Sequence, residues 1–597
     1  MGSHNPAFHA LLAGAGVTAV FAVAGCYTKP PSLGLPCAVD SECGAGELCV
    51  GGECSADQGA SEVGGETMQT STSTEGGSTT GGTTGPTTGP TTGPTTGDPT
   101  TSETTTAATT GLECPDGMED VGGECTPIPC ILGVCGTVSL SWHEVYDSVW
   151  DQTEETPQWP QRVSALAVLP DGGVIVAGEM YGTMSVGGEN KGLADERALF
   201  LARYDASGTP EWFKEFPCTA DTTVITDLAV RGDEVVIVGE VDGEAQTDDD
   251  LVLDPGEPID AQNRDAFVAM FTGAGEFSWQ RHYSGAGLQK AISVAYALSG
   301  RIVIGGEYEA PFENVVPDPA LPDAASGNAN VFVLTLKSSG ELVWMRGFGN
   351  PDGQQRLRDI TTIFGNDIIL VGNYESAFSL PPNGAMPDAG GGQDLYLARL
   401  NNDGDYQWGF NAGNTSNQYL STVTASPDKT VIYAAGFVLG ELEIGDTVYT
   451  SGESIDILLM KVVNDKIEWV RGFGDDNVQF PTGLATNSKA DRVLLSGMCA
   501  GVVDFGGGEL TALGLNDPCF AELDSDGAHR WSSFIGGDNP VLEGFPAEDA
   551  GPVGLMGEDR AYISLGFTGT ANLFGTTVAE EVRGDRLTAF ASLSTPP

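Results

Sequence analysis

The sequence predicts an all-β fold, a seven-bladed β-propeller closed by an N-terminal outer strand, and three observations predict it. From Arg162 onward one unit recurs seven times with a period of 61 to 70 residues, and such internal repetition outranks any local reading. Each unit carries apolar alternation of period two in four short runs, a to d, separated by turn residues such as "PDGG" and "DASG". Composition agrees, since 83 glycines in 597 residues with only 18% charged side chains favour short strands and tight turns over helices. Four strands repeated at this period are propeller blades.

The first unit reads "RVSALAVLPDGGVIVAGE", then a loop, then "ALFLARYDASGTPEWFKEF". Strand b ends on glycine in every copy (Gly178, Gly239, Gly306, Gly372, Gly436, Gly497 and Gly566), where a bend or a close backbone approach is expected. Strand c often opens with Asp, at Asp265, Asp394, Asp456, Asp517 and Asp585, with Asn330 in copy three. Strand d carries Trp212, Trp279, Trp344, Trp408, Trp469 and Trp531. One tryptophan per unit at a fixed place reads as a blade-packing device rather than an aromatic site. Five of these six fit GxxxW, and the fifth copy has Asp465 where the glycine would stand.

Counting strands closes the ring. The seventh copy ends "DRLTAFASLSTPP", with a, b and c but neither strand d nor its tryptophan. Ahead of the first copy stands "GTVSLSWHEVYD", whose Trp142 aligns with Trp212. Lent to the last blade, this strand completes seven blades and removes two open sheet edges. The propeller is therefore expected over residues 136–597. Its units resemble the bacterial seven-bladed propeller repeats of the SBBP type and, more loosely, the PQQ-like repeats, whose motif also ends in GxxxW.

The N-terminal quarter reads differently. Ala10 to Gly25 form one apolar run, too short for a membrane span but suited to a signal peptide over residues 1–25. Val23-Ala24-Gly25-Cys26 resembles the bacterial lipobox. That resemblance implies lipidation of Cys26 and, with Tyr27 rather than Asp following, a lipid anchor in the outer membrane of a Gram-negative bacterium, on the cell surface. Several acyl chains anchor firmly where one does not. A cleaved leader with Cys26 in a disulfide is the other reading.

Cys37, Cys43, Cys49 and Cys54 lie in one Cys-rich segment (26–54), and Cys114, Cys125, Cys130 and Cys135 in a second (114–135). Even groups in spans too small for a core, in an exported chain, favour disulfides, and neither a CxxC pair nor a nearby His supports zinc. Between them residues 55–113 contain no aromatic and no basic residue, so they are expected to be a disordered linker. As a coil this stalk would span roughly 40 Å, and as polyproline II about 180 Å.

Net charge is -57, from 83 acidic against 26 basic residues. Such a field repels nucleic acid and keeps the chain soluble, and a monomer is expected. Only His143, His282 and His529 follow the leader, each within three residues of a strand-d tryptophan. They are expected on separate outer rims, which leaves no histidine triad or metal cluster. Turns such as "NNDGDYQW" and "LDSDGAHRW" imitate part of a calcium loop, but they recur at the c–d hairpins and lack the distant Glu, so hairpin chemistry explains them. In the second b–c loop, Asp242 to Asp260 hold eight carboxylates in nineteen residues. Asp248, Asp249, Asp250 and Asp254 are the candidates for Ca²⁺, the one cofactor entertained, against the plainer reading of a solvated acidic loop. Cys499 and Cys519 are expected to pair across adjacent strands, leaving Cys218 over.

No catalytic residues are assigned. The pieces add up to a lipid-anchored binding or adhesion module for a glycan or an envelope protein, with the face of the b–c and d–a loops as ligand face. The alternative is a propeller enzyme, either a carboxylate-based glycan-cleaving one or a PQQ-type oxidoreductase. Seven blades rather than eight speak against the latter, whereas carboxylate-only glycoside chemistry needs no histidine. A purely structural role in the envelope is the third reading.

Overall fold

Seven antiparallel sheets are arranged as blades around an axis in the computed structural model. It describes residues 47–50, 53–56, 118–120, 125–127 and 134–136, then most of residues 138–595 apart from loops such as 150–160, 243–263 and 537–548 and some shorter stretches. The leader and Cys26, most of the first Cys-rich segment, the stalk, and Asp248, Asp249, Asp250 and Asp254 lie outside the described residues.

Blade one consists of Arg162–Val168, Val174–Tyr181, Arg197–Tyr204 and Pro210–Pro217, as strands a to d. Blades two to six repeat that order from strands a at Val224–Arg231, Gln289–Tyr296, Gln355–Ile363, Tyr419–Ala425 and Gln479–Thr486. Blade seven takes strands a, b and c from Asp549–Met556, Arg560–Thr568 and Arg586–Ser594. Its fourth strand is Ser139–Tyr146, antiparallel to the last strand of the chain with Trp142 opposite Ser592 and Tyr146 opposite Thr588. The ring therefore closes as the strand count requires. One addition was not expected: Val134–Gly136 pairs with Trp531–Ser533 and gives blade six a fifth, outer strand.

The core lies between blades. Seven clusters of buried apolar side chains correspond to the seven blade interfaces. Period-two alternation serves both sides of a blade: Leu199 and Leu201 pack toward blade two, whereas Phe200 and Ala202 pack toward blade seven. Sheets buried on both faces explain why strands b and c are almost continuously apolar.

The recurrent residues now acquire partners. Every strand a carries a β-bulge near its start. The bulge pushes a strand-a carbonyl toward the strand-b glycine: a Cβ at Gly178 or Gly436 would stand 1.8 Å from the carbonyl oxygen of Arg162 or Tyr419. No other residue fits there without moving backbone.

The tryptophans latch blade to blade. The indole N–H of Trp142 donates to Ala206 O, Trp212 to Gly273 O, Trp279 to Ser338 O, Trp344 to Asn402 O and Trp469 to Ser525 O, at 2.8–3.0 Å. Each acceptor lies in the c–d turn of the following blade. The same ring rests on that turn's glycine, so a Cβ on Gly208 would come within 2.6 Å of Trp142, and one on Gly340 within 2.9 Å of Trp279. These glycines also hold left-handed backbone, with φ of 85° at Gly208 and 76° at Gly340. The two ends of GxxxW thus serve two different interfaces.

Candidate binding face

The d–a and b–c loops share one face of a propeller, and the described loops of this face are tied down by side chains. Asn350, Asn414 and Asp475 open the d–a loops, and each accepts an N–H from two residues on, from Asp352, Ser416 and Asn477. A glutamine at the end of each loop returns the bond: Gln355, Gln418 and Gln479 accept from the backbone N–H of Asn350, Asn414 and Asp475 at 2.9–3.3 Å. Asn350 Nδ2 further donates to Ala377 O, and Asn414 Nδ2 to Leu439 O, which joins each loop to its own blade's b–c connection. The spacing Gly-Asn/Asp to Gln (Gly349 to Gln355, Gly413 to Gln418, Gly474 to Gln479) was the signal available in the sequence for this scaffold.

Nearer the axis, the residue before each bulge contact pairs with the residue after the strand-b glycine. In blades one to six these pairs are Arg162/Glu179, Val224/Glu240, Lys290/Glu307, Arg356/Asn373, Tyr419/Phe437 and Phe480/Met498. Blades one to four thus carry charge and amide at this level, with Glu240, Glu307 and Asn373 buried, and blades five and six carry aromatic rings and the buried Met498 thioether. Fully buried Glu240 sits between Arg264 and Lys290, whose Nζ is 3.9 Å away. Glu179 accepts from Arg197 and Glu307 from Arg356, both at 2.7 Å. The Glu307 carboxylate raises the Arg356 guanidinium further above its ordinary value, against the cost of burial.

In blades one to six the bulge residues form the next row: Ser164, Thr226, Ile292, Arg358, Ser421 and Thr482. Ser164 and Thr226 donate to Ile225 O and Ala291 O of the following blade, at 2.7 and 2.8 Å. Arg358 is the one charge in this row. Its Nε donates to Asn373 Oδ1 at 2.9 Å, and its guanidinium carbon lies 5.2 Å from the Tyr419 ring centre. Tyr419 in turn packs on Phe437 with centroids 4.5 Å apart. Burial pushes the Tyr419 phenol up, with Arg358 opposing, so it stays neutral at ordinary pH.

Below the bulges a fully buried polar chain crosses four blades. Asp227 accepts from Leu228 N, Val294 N and Ser293 Oγ, at 2.7–2.9 Å. Asp359 accepts from Ile360 N and Val423 N, both at 2.7 Å, and Ser293 Oγ also lies 2.7 Å from it, so the two carboxylates share the single hydroxyl proton. One serine hydroxyl therefore lies between two carboxylates, each of which also caps backbone N–H groups. Nothing in the period-two pattern marked Asp227 or Asp359, because a bulge shifts them out of phase.

The remaining expected residues fall as follows. Cys499 and Cys519 are disulfide-bonded between strands b and c of blade six. Cys218 is a buried free thiol receiving Arg197 Nη1 at 3.2 Å, and burial pushes it up to about 11. Cys49 and Cys54 are register partners in the hairpin Glu47–Val50/Glu53–Ala56, Cys125 opens the strand Cys125–Pro127, and Cys135 is in register with Ser532. Cys37, Cys43, Cys114 and Cys130 lie outside the described residues. The Asp and Asn of the calcium-like turns hold their own turns: Asn401 accepts from Asp403 N and Asp405 N, and Asp524 from Asp526 N and Ala528 N. Among the described residues no group of three or more His, Cys, Asp or Glu is arranged to hold a metal ion.

The histidine expectation needs one correction. Blade six has a fifth strand, so His529 is not on an outer rim; it is half-buried beside Gly507 with Ser532 Oγ 3.0 Å away. Burial pushes its imidazole down to about 4.

A seven-bladed propeller with a divided axial face is the class that this fold and face define. No protein-family model matches the chain, and no curated protein matches its sequence. Among solved structures it is similar to two neuraminidase-like proteins. One is the subtype N10 protein of A/little yellow-shouldered bat/Guatemala/060/2010, at 8% identity and TM-score 0.28, covering 61% of this chain and 91% of that one. The other is from A/bat/Guatemala/164/2009, at 11% identity and TM-score 0.30, covering 68% and 96%. It is also similar to a DUF4221 member from Bacteroides vulgatus, at 7% identity and TM-score 0.29, covering 78% and 99%. At this level nothing about a ligand follows from any of them.

Proposed function

We propose that this chain is a surface-tethered lipoprotein whose propeller is a non-catalytic binding module for a glycan or envelope protein. The observation that carries the reading is the division of the axial row into a charged sector on blades one to four and an aromatic sector on blades five and six, framed by pinned loops. Purely structural blades would have no use for that asymmetry, whereas a ligand with one polar and one apolar side would. Cys26 and the 55–113 stalk supply the tether and the reach.

The test is binding of the full chain to an immobilised glycan panel and to purified envelope proteins, with and without Ca²⁺. Saturable binding without turnover is expected. Conversion of a sugar or alcohol, lost on a single carboxylate substitution, would instead establish the enzymatic alternative. Labelled palmitate should enter the wild-type chain and not Cys26→Ala, and incorporation that persists in the variant removes the anchor.

A further inference from the structure

We infer that the ligand face carries a carboxylate-binding site built on Arg358, with Tyr419 and Phe437 as the platform beside it, and that its ligand is a sugar bearing a single carboxylate. The inference deepens the binding-module reading and rests on it.

Three observations lead there. First, Arg358 occupies a bulge position, where the other bulge residues of blades one to six are Ser, Thr or Ile. A half-exposed arginine on the innermost strand is not needed to close the ring, because Ser164 and Thr226 make the blade-to-blade bond at that position with a hydroxyl. Second, its guanidinium is held and yet uncommitted. Asn373 takes Nε and the Tyr419 ring lies beneath the plane, while among the described residues neither Nη has a hydrogen-bond partner. Neighbouring Arg356 is engaged by Glu307 and Gln354. Glu375, the exposed carboxylate whose charge acts on Tyr419, accepts from Gln354 N and Gln393 Nε2. Third, a fork fixed at Nε offers two parallel N–H groups, the arrangement that matches a carboxylate bidentately.

The platform selects the rest of the ligand. Tyr419 and Phe437, 4.5 Å apart and both half-exposed, present ring surface next to the fork. A sugar ring with an equatorial carboxylate can lay its apolar C–H face on the rings while its acid meets Arg358. The -57 field of the chain narrows the choice further: a polyanion is repelled as a whole, whereas one carboxylate feels the local cation more than the distant field.

The experiment titrates the full chain with an oligosaccharide ending in glucuronate, the same oligosaccharide ending in glucose, and its 6-sulfated counterpart. The glucuronate-ended probe is expected to bind about tenfold more tightly than the other two. Arg358→Gln should abolish that preference with an unchanged melting temperature, and Arg358→Lys should restore only part of it. Tyr419→Ala should weaken glucuronate- and glucose-ended probes alike. Equal binding of the three probes, or a preference that survives Arg358→Gln, overturns the inference. A glycan that binds in the panel with no dependence on Arg358 overturns this site alone, and a panel without any binder, glycan or protein, overturns the underlying reading as well.

Discussion

The junction between blades three and four and the one between blades four and five share the same construction and differ by one turn. At the first, Trp344 reaches over to Asn402 O and lies against Gly404. At the second, the c–d turn of blade five is only Asn464-Asp465, both in left-handed backbone at φ 49° and 64°, where the other complete turns have five residues between paired strands. Among the described residues Trp408 makes no such bond. Arg399 instead donates from blade four to Asp465 at 2.7 Å. A glycine missing from one copy therefore unlatches the tryptophan of the copy before it. The junction from six to seven shows the same dependence: blade seven has no c–d turn, because its strand c is Arg586–Ser594 and its strand d is Ser139–Tyr146, far earlier in the sequence. Trp531 there donates to Glu522 at 2.9 Å, and Arg492, paired to Glu522, crosses to Thr595 and Gly557.

The largest test of this contrast removes a latch together with its strand. Deleting residues 139–146 takes away the outer strand of blade seven and Trp142, and should cost more than about 4 kcal/mol or prevent folding. Deleting the stalk, 55–113, should leave the thermal midpoint where it was.

Next comes the axial chain, which spans the latched and unlatched junctions alike. Asp359→Ala strands the two buried backbone N–H groups of Ile360 and Val423, leaving Ser293 Oγ to Asp227 alone, and should cost about 3 kcal/mol by denaturant unfolding. An effect under about 1 kcal/mol would mean that the latches alone set the junctions.

The tryptophans themselves give the direct comparison. Trp344→Phe should cost about 1 kcal/mol more than Trp408→Phe, since both lose ring area but only the first loses a hydrogen bond. Equal costs would reduce the latch to packing.

The smallest effects are pH-dependent and bracket the junction between blades five and six. Burial, with Asp475 and Asp476 adding to it, pushes Asp456 up to about 6 despite its bond from Tyr449, while unfolded it titrates near 3.8. The folded state binds the extra proton between those values, so Asp456 makes stability fall as pH rises from about 4 to 6. His529, pushed down to about 4 from 6.5, binds its proton less well when folded, so it makes stability fall as pH drops through the same window. Relative to wild type, Asp456→Asn should tilt the stability–pH curve upward with pH, and His529→Gln should tilt it the other way.

Much of the fold is legible in the sequence, because repetition is a property of the chain itself. Seven strand-b glycines count the blades, and the missing last tryptophan points to Trp142. Partnership is harder to see, since neighbouring letters of GxxxW act at different junctions. The bulge is invisible because period-two reasoning has no place for an extra residue, so Arg358, Asp227 and Asp359 pass as ordinary strand residues. Val134–Gly136 is hidden by the cysteine-rich text around it. Of the candidate face, the aromatic and basic letters are legible, but their gathering at strand-a starts is not.

The short pairing of Val134–Gly136 with Trp531–Ser533 has a mechanical consequence. Load applied through the N-terminal segment enters the ring at its one seam that has no covalent turn. Three residues zipped along blade six lie between that load and the closing strand of blade seven. They act as a strain relief, in the manner of a cable clamp: force must first peel them away before it reaches Ser139 and opens the ring.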